Sequence, residues 1–402
     1  MKKTGFILAL GLWLAVSCAG GLQSPVVPAS TPEKMGMDGE HLALVDDVIW
    51  DAIQSEDIPG AVLAVVRHGK MVYLKAYGNR QLAPDTLPMT TKTVFDLASV
   101  SKCVGTTLSI MQLIERGQIR LIDPVDVYLP HFQPWVDKDT GRKTRITIAD
   151  LLTHTSGLPA YGPTEELIEK YGSPSPEGLL EYICHCPRIY KPKEGHVYSC
   201  LNFITLQHIL EKVTGTTLAA YAQEQVFDPL GLQHTMYNPQ GETLALCAPT
   251  ELQEDGFPLV GKVHDPLARL LNDGNSGNAG VFSNAEDLAV IAVALLNGGT
   301  FQGRRILGPM TVKAMERIPA DVKAYGRNLG WGRAGSWNGD LFNPKTVYGH
   351  TGYTGTSMVL DPETDTAIIL LANRVHPHDD GAAISMRTRV ANIVAGSIIK
   401  EG

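Results

Sequence analysis

Phe95-Asp96-Leu97-Ala98-Ser99-Val100-Ser101-Lys102 is the stretch on which the reading of this 402-residue chain turns. A serine and a lysine three positions apart at a helix start share one face, so a nucleophile and an amine stand together. The helix is legible from Val104, Leu108, Met111 and Ile114, which recur every three or four residues, and Gly117 supplies a stop after a charged last turn. Ser99 is therefore expected at the N-terminal end, where unpaired backbone N–H groups and the positive end of the helix dipole favour a developing oxyanion. Lys102, one turn on, lowers the cost of deprotonating the hydroxyl. The four-residue pattern alone arises readily by chance, so its meaning depends on what accompanies it.

Two further segments accompany it. Tyr198-Ser199-Cys200-Leu201-Asn202 follows the turn-forming Lys191-Pro192-Lys193-Glu194-Gly195 and precedes an apolar helical run over 203–213. A tyrosine at such a loop-to-helix corner can present its hydroxyl to a cleft. His350-Thr351-Gly352, followed by Tyr353-Thr354-Gly355, lies between short strand-like runs, and a strand edge of small residues lets a substrate backbone or ester pair alongside.

With Ile58-Pro59-Gly60-Ala61, the stretch 151–158 (Leu-Leu-Thr-His-Thr-Ser-Gly-Leu), Gly280-Val281-Phe282-Ser283 and Asp361-Pro362 in the same order, the chain resembles the serine β-lactamase-related superfamily from about position 32 onward. That group comprises class C β-lactamases, D-alanyl-D-alanine carboxypeptidases and esterases of the same fold; the ending Leu371-Ala372-Asn373-Arg374-Val375-His376-Pro377 looks most like its carboxypeptidase-like and penicillin-binding-protein-like members. The resemblance implies that Ser99 is acylated, that Lys102 tunes or receives its proton, and that the Tyr198 hydroxyl relays protons to the leaving group and from the deacylating water. It implies an oxyanion hole from the backbone N–H groups of Ser99 and Tyr353. It places His350, Thr351, Gly352, Cys200 and Asn202 at the substrate. Two departures bear on that substrate. His350 stands where the penicillin-recognising pattern has lysine, and its ordinary pKa of about 6.5 leaves no permanent charge for a substrate carboxylate. Cys200 stands where many relatives carry Asn or Asp, and a thiol is a weak hydrogen-bond partner that Asn202 would have to replace.

A coarse pass predicts an α/β (α+β) fold. A first helix presents Leu42, Val45, Ile49 and Ile53; runs 61–66 and 71–76 form a hairpin about His68-Gly69; runs 346–348, 356–360 and 366–371 are strands; a last helix over 382–398 turns Ala383, Met386, Val390 and Ile393 inward. N- and C-terminal strands then share one antiparallel sheet flanked by helices, with a large, mainly helical insertion between them. The resemblance implies the same β-lactamase/transpeptidase-like layout, with the site between the lobes. In Thr153-His154-Thr155-Ser156-Gly157 a Ser–His relay is suggested, but adjacent residues rarely face each other usefully, so His154 is read in preference as fixing a cleft loop. His264-Asp265 is read as a loop hydrogen bond in preference to a pair supporting the site from behind, and no G-x-S-x-G elbow points to an α/β-hydrolase.

Met1-Lys2-Lys3 and the short apolar run 6–16 read as a secretory signal rather than a membrane span. Ala15-Val16-Ser17-Cys18 resembles a bacterial lipoprotein cleavage site that would leave Cys18 lipidated, with cleavage after Ala19 as the competitor. The expected organisation is a signal over 1–18, a flexible tether over 19–32 and one hydrolase domain over 33–400, placing the protein in the periplasm or cell envelope, lipid-anchored or simply secreted. Apolar residues at 44% allow a large core, and a spread net charge of −8 without a basic run gives nucleic-acid binding no footing. Neither a cofactor nor a metal is expected: Cys184-His185-Cys186 lacks a second ligand pair, the five cysteines besides Cys18 read as buried small hydrophobes, and the loop 376–380 (His-Pro-His-Asp-Asp) reads as a cap on the last helix. The expected partner is a small-molecule or peptidoglycan-derived substrate, with the membrane reached only through a lipid anchor and the oligomeric state open. The preferred function is an acyl-enzyme serine hydrolase on D-alanyl peptides or small esters and amides. Its alternatives are a true β-lactamase and a non-catalytic muropeptide-binding or sensor module.

Overall fold

The computed structural model describes residues 26–400, apart from positions 326 and 334 and the side chains at 323 and 336. The expected signal, Cys18 and the first part of the tether lie outside the described residues. Six strands form the main sheet: β1 (Gly60–Arg67), β2 (Lys70–Gln81), β3 (Leu87–Pro88), β4 (Tyr348–Thr351), β5 (Ser357–Asp361) and β6 (Thr366–Ala372). Their order is β4-β5-β6-β1-β2-β3, every pair antiparallel, and Ala61 of β1 faces Ala372 of β6. The two ends of the chain thus share one sheet, as the sequence predicts. The β1–β2 hairpin turns on His68 and Gly69, at φ 49° and 65°, the left-handed pair that a two-residue connection requires.

β1 is buried along its whole length because both faces are covered, which is why it reads as an unbroken apolar run. Val62, Ala64 and Val66 enter the larger core, shared with α2 (Leu108–Glu115), α3 (Cys200–Thr214) and α4 (Ala285–Leu296). Ala61, Leu63 and Val65 enter a second core beneath α1 (Val45–Gln54) and α5 (Ile384–Gly396). Between β3 and β4 the chain is mostly helix and loop, the expected insertion.

Three boundaries differ from expectation. The first helical stretch is broken between Gly39–Leu42 and α1, and Val48 and Ala52 are buried beside Val45 and Ile49 while Ile53 is only partly covered. α5 begins at Ile384, with Ala383 as its N-cap, and buries Met386, Val390, Ala391 and Val394, leaving Ile393 at the margin. The expected tether is seated from Val27 onward: Val27 is buried, Ser30 N–H donates to the Met71 carbonyl and Met71 N–H to that of Pro28, each at 2.9 Å. β3 pairs only with Asn79 and Gln81 of β2, so the edge at Met71 is open to this segment.

Candidate active site

Phe95–Asp96 pairs with Val281–Ser283, and this short ladder delivers the chain into a 3-10 turn over Ala98–Val100. A π-helical turn over Lys102–Thr107 and then α2 follow. The run expected as one α-helix therefore passes through three hydrogen-bond patterns. The Thr107 hydroxyl donates to the Lys102 carbonyl five residues back, at 2.7 Å, which fits the wider turn. Ala98, just before the candidate nucleophile, sits at φ 45°, a strained setting for a non-glycine residue, with its N–H held by Asp96 Oδ1 at 2.8 Å. The face-sharing predicted for Ser99 and Lys102 is what the structure shows.

Lys102 is buried, and its Nζ donates to Ser99 Oγ at 3.0 Å and to the Asn278 carbonyl at 2.8 Å. It also lies 3.5 Å from Cys200 Sγ and 5.0 Å from the centre of the Tyr198 ring. Burial works against the ammonium, but Cys200 and Tyr198 outweigh it and hold the Lys102 pKa above its ordinary value. Burial pushes the Tyr198 phenol up, while the Lys102 charge and the Ser99 hydroxyl pull it back. Burial also pushes the Cys200 thiol up, so at neutral pH the trio is an ammonium, a neutral phenol and a neutral thiol. The Tyr198 hydroxyl is buried without a partner at hydrogen-bond geometry, poised rather than engaged.

Tyr198 is held from beneath by His154. The two rings lie 4.5 Å apart, with Phe203 on His154 at 5.2 Å. Ser199 N–H donates to His154 Nδ1 at 2.9 Å, so the ring proton is on Nε2. Burial, with Arg327 and Lys102 nearby, depresses the His154 pKa well below its usual range and keeps it neutral. The segment around His154 is structural, as expected, but what it fixes is Tyr198. Asn202 corrects an expectation: it is fully buried, accepts from Ser156 Oγ at 2.6 Å and sits 3.3 Å from His154 Nδ1. It lies on the first turn of α3, where it braces this layer and does not line the cleft. Cys200 faces Lys102 rather than the open cleft.

The third segment forms the opposite wall. His350 and Thr351 end β4, the outer strand of the sheet, whose edge is closed at Gly349 by a two-way pairing with Gly332 and opens beyond it. Thr354 Oγ1 donates to the Asp96 carbonyl at 2.8 Å and Thr356 Oγ1 to that of Leu97 at 2.9 Å, locking this turn to the residues before Ser99. Gly352 is required by closeness: a Cβ there would lie 2.1 Å from Thr356 Oγ1 and 2.4 Å from the Leu97 carbonyl. A cleft of about 480 Å³ results, lined by Ser99, Tyr198, His350, Thr351, Gly352 and Tyr353 from the expected set. Arg327, Arg374 and Arg387 also line it, and sequence reading singled out none of the three. His350 itself is buried and held neutral, its pKa pushed down to about 3 by burial and by Arg327 and Lys102.

The loop 376–380 corrects another expectation. It does not cap α5: Asp379 instead pairs with Arg374 at 2.8 Å and accepts from the Tyr353 hydroxyl, while His376 accepts from Leu82 N–H at 2.9 Å. The His264 backbone N–H donates to Asp96 Oδ2 at 2.7 Å, a loop hydrogen bond as expected, and its ring also stacks on that of Tyr353 at 5.7 Å. Cys103, Cys184, Cys186 and Cys247 are buried thiols.

A sheet built from both chain ends, a helical lobe, and a serine hydroxyl bonded to a buried lysine between them define a serine hydrolase. The family model described as Beta-lactamase matches residues 45–393, and the chain belongs to that family. It is 34% identical, over 94% of its length and 92% of the relative's, to a protein of Escherichia coli O157:H7 that bears a provisional D-alanyl-D-alanine carboxypeptidase name. It is also 34% identical, over 93% and 91%, to a Bacillus subtilis (strain 168) protein named N-acetylmuramyl-L-alanine amidase. Among solved structures, EstCE1, titled a hydrolase with promiscuous acyltransferase activity, matches with a TM-score of 0.71 at 25% identity, covering 89% of this chain and 99% of that one.

Proposed function

We propose that the protein is an exported serine hydrolase that forms an acyl-enzyme at Ser99, acting on peptides ending in D-alanyl-D-alanine and, more simply, on small esters and amides. The observation that carries this reading is the 3.0 Å contact of Lys102 Nζ with Ser99 Oγ beneath Tyr198, at the floor of an arginine-lined cleft. The Lys102–Tyr198 pair, one proton short of its resting state, takes the Ser99 proton as the Oγ–carbonyl carbon bond forms. The N–H groups of Ser99 and Tyr353 hold the oxyanion; the Tyr353 amide has no partner among the described residues. Tyr198 passes the proton to the departing nitrogen or oxygen as that bond breaks. Water then attacks the ester by the same route and frees Ser99.

The charge of the cleft supports an anionic substrate. Of its three arginines Arg374 is paired with a carboxylate and Arg387 is taken up by two backbone carbonyls, so with His350 neutral Arg327 is the cation that a terminal carboxylate would meet. The names carried by the E. coli and B. subtilis relatives agree with a cell-wall peptide. Export rests on the apolar run 6–16, and Cys18 is the residue that would carry the lipid. The test compares release of D-alanine from an N-acylated D-alanyl-D-alanine peptide with cleavage of its C-terminal amide and of a muramyl-L-alanine substrate. Faster cleavage of the free carboxylate is expected. Cleavage only at the muramyl amide would make the protein an amidase, and turnover of esters alone would remove the wall-peptide reading.

A further inference from the structure

Arg387 is an arginine without a counter-ion. It lies on α5, is 8% exposed, and its Nε is buried with no partner. Its neighbours are paired, Arg374 with Asp379 and Arg389 with Asp51, but Arg387 meets no carboxylate among the described residues. Instead its Nη2 donates to two backbone carbonyls, Gly352 at 3.0 Å and Thr356 at 2.9 Å. Burial, with Arg374 adding to it, brings its pKa down to about 10, so it remains a cation at neutral pH. Keeping a buried charge merely to satisfy two carbonyls is costly when neutral donors could do the same.

The position of the first carbonyl explains what the charge does. The Gly352 C=O and the Tyr353 N–H are the two ends of one conjugated amide. A charge-assisted hydrogen bond at the oxygen draws electron density along that amide and makes its N–H a stronger donor, because hydrogen bonds in series polarise one another. Thr356 adds rigidity: its carbonyl accepts from both Arg387 and Gly352 N–H, the latter at 2.7 Å, so the guanidinium spans the turn that carries Tyr353. We propose that Arg387 is a positioning residue that polarises and fixes the Tyr353 amide as an oxyanion donor. This rests on the reading of Ser99 as the acylated nucleophile and of the Tyr353 N–H as part of its oxyanion hole.

The test uses the full domain, a slowly deacylating acyl donor labelled with ¹³C at its carbonyl, and infrared difference spectra of the wild type, R387Q and R387K. A stronger donor at the acyl oxygen lowers the carbonyl stretching frequency. R387Q keeps a donor but loses the charge, so its band is expected at higher frequency than wild type. kcat and kcat/KM for a neutral ester should fall together by about ten- to a hundredfold, less than the loss of a whole oxyanion donor, with KM nearly unchanged. R387K, which keeps the charge, is expected between the two and carries the test if R387Q does not fold. A wild-type acyl-enzyme whose band is the same in the variants overturns the proposal alone, whatever happens to the rate. So does a rise in KM confined to carboxylate-bearing substrates, which would make Arg387 a substrate contact. A wild type that forms no acyl-enzyme overturns the function reading, and this proposal with it.

Discussion

Tyr198 holds the one unengaged hydroxyl among the three groups proposed for proton transfer, and its removal separates chemistry from folding most cleanly. Tyr198→Phe is expected to slow ester turnover by roughly two to four orders of magnitude, the range for a lost general acid–base, with the melting curve little changed because the ring and its contact with His154 remain. Stopped-flow or steady-state rates on an activated ester measure this, and an unchanged rate would take the hydroxyl out of the mechanism. The resting charge state makes a second point. Since Lys102 and Tyr198 are both held above their ordinary pKa values, the active form is the one that has lost a proton. The kcat/KM for a neutral ester is therefore expected to climb as pH rises through 7 to 9, and a maximum at or below pH 6.5 would contradict the assignment. At this scale Ser99, Lys102 and Tyr198 were legible because each sits in a short local pattern whose geometry a helix start or corner dictates. Arg327, Arg387 and the His154–Tyr198 contact were not. They depend on chain segments brought together over long separations, with no periodic trace in the sequence.

The turn 352–356 is an element whose precision comes from hydroxyls. Thr354 and Thr356 tie it to Asp96 and Leu97, so the Tyr353 amide and Ser99 share one frame. Thr356→Val keeps the shape but removes one of the two hydrogen bonds to the Leu97 carbonyl, leaving it only the Val100 N–H, at an expected cost of about 1 kcal/mol in chemical unfolding. The ester kcat should fall as well, since the two oxyanion donors would lose registration; full activity beside a normal unfolding midpoint would show the tie to be incidental. The strands and the flanking helices were readable from their apolar periods. The π turn after Lys102 was not, since it accompanies a side-chain bond from Thr107 that no hydrophobic pattern signals. Nor was the seating of residues 27–30 on β2, which follows from how short β3 is, not from anything in the segment's own composition.

Across the whole molecule, neutral histidines are stored in the interior, and this sets an acid limit on stability. Unfolded, a histidine takes up its proton near pH 6.5. Folded, His350 does so only near 3, and His154 well below its usual range. Between about pH 6.5 and 3 the unfolded chain therefore binds more protons, so the stability from keeping these rings neutral is complete above the window and lost as pH falls through it. Each ring contributes a slope of up to about 1.4 kcal/mol per pH unit. Thermal melts from pH 7.5 to 4.5 should show the midpoint falling, and His350→Asn should flatten that fall; identical slopes in the two proteins would mean that His350 is not buried neutral. The two cores and the shared sheet explain why so much of the architecture could be read in advance: β1 and β6 come from opposite ends of the chain, yet both are apolar runs buried on both faces.

The most direct test of the account is the intact mass of the soluble domain after brief exposure to an activated ester and, in parallel, to a penicillin, followed by peptide mapping, with Ser99→Ala as control. The account predicts a mass increase equal to the acyl group, mapped to Ser99 and absent from a Ser99→Ala protein with an unaltered melting curve. Acyl transfer that persists in that variant, or an adduct mapped to any other residue, would contradict it.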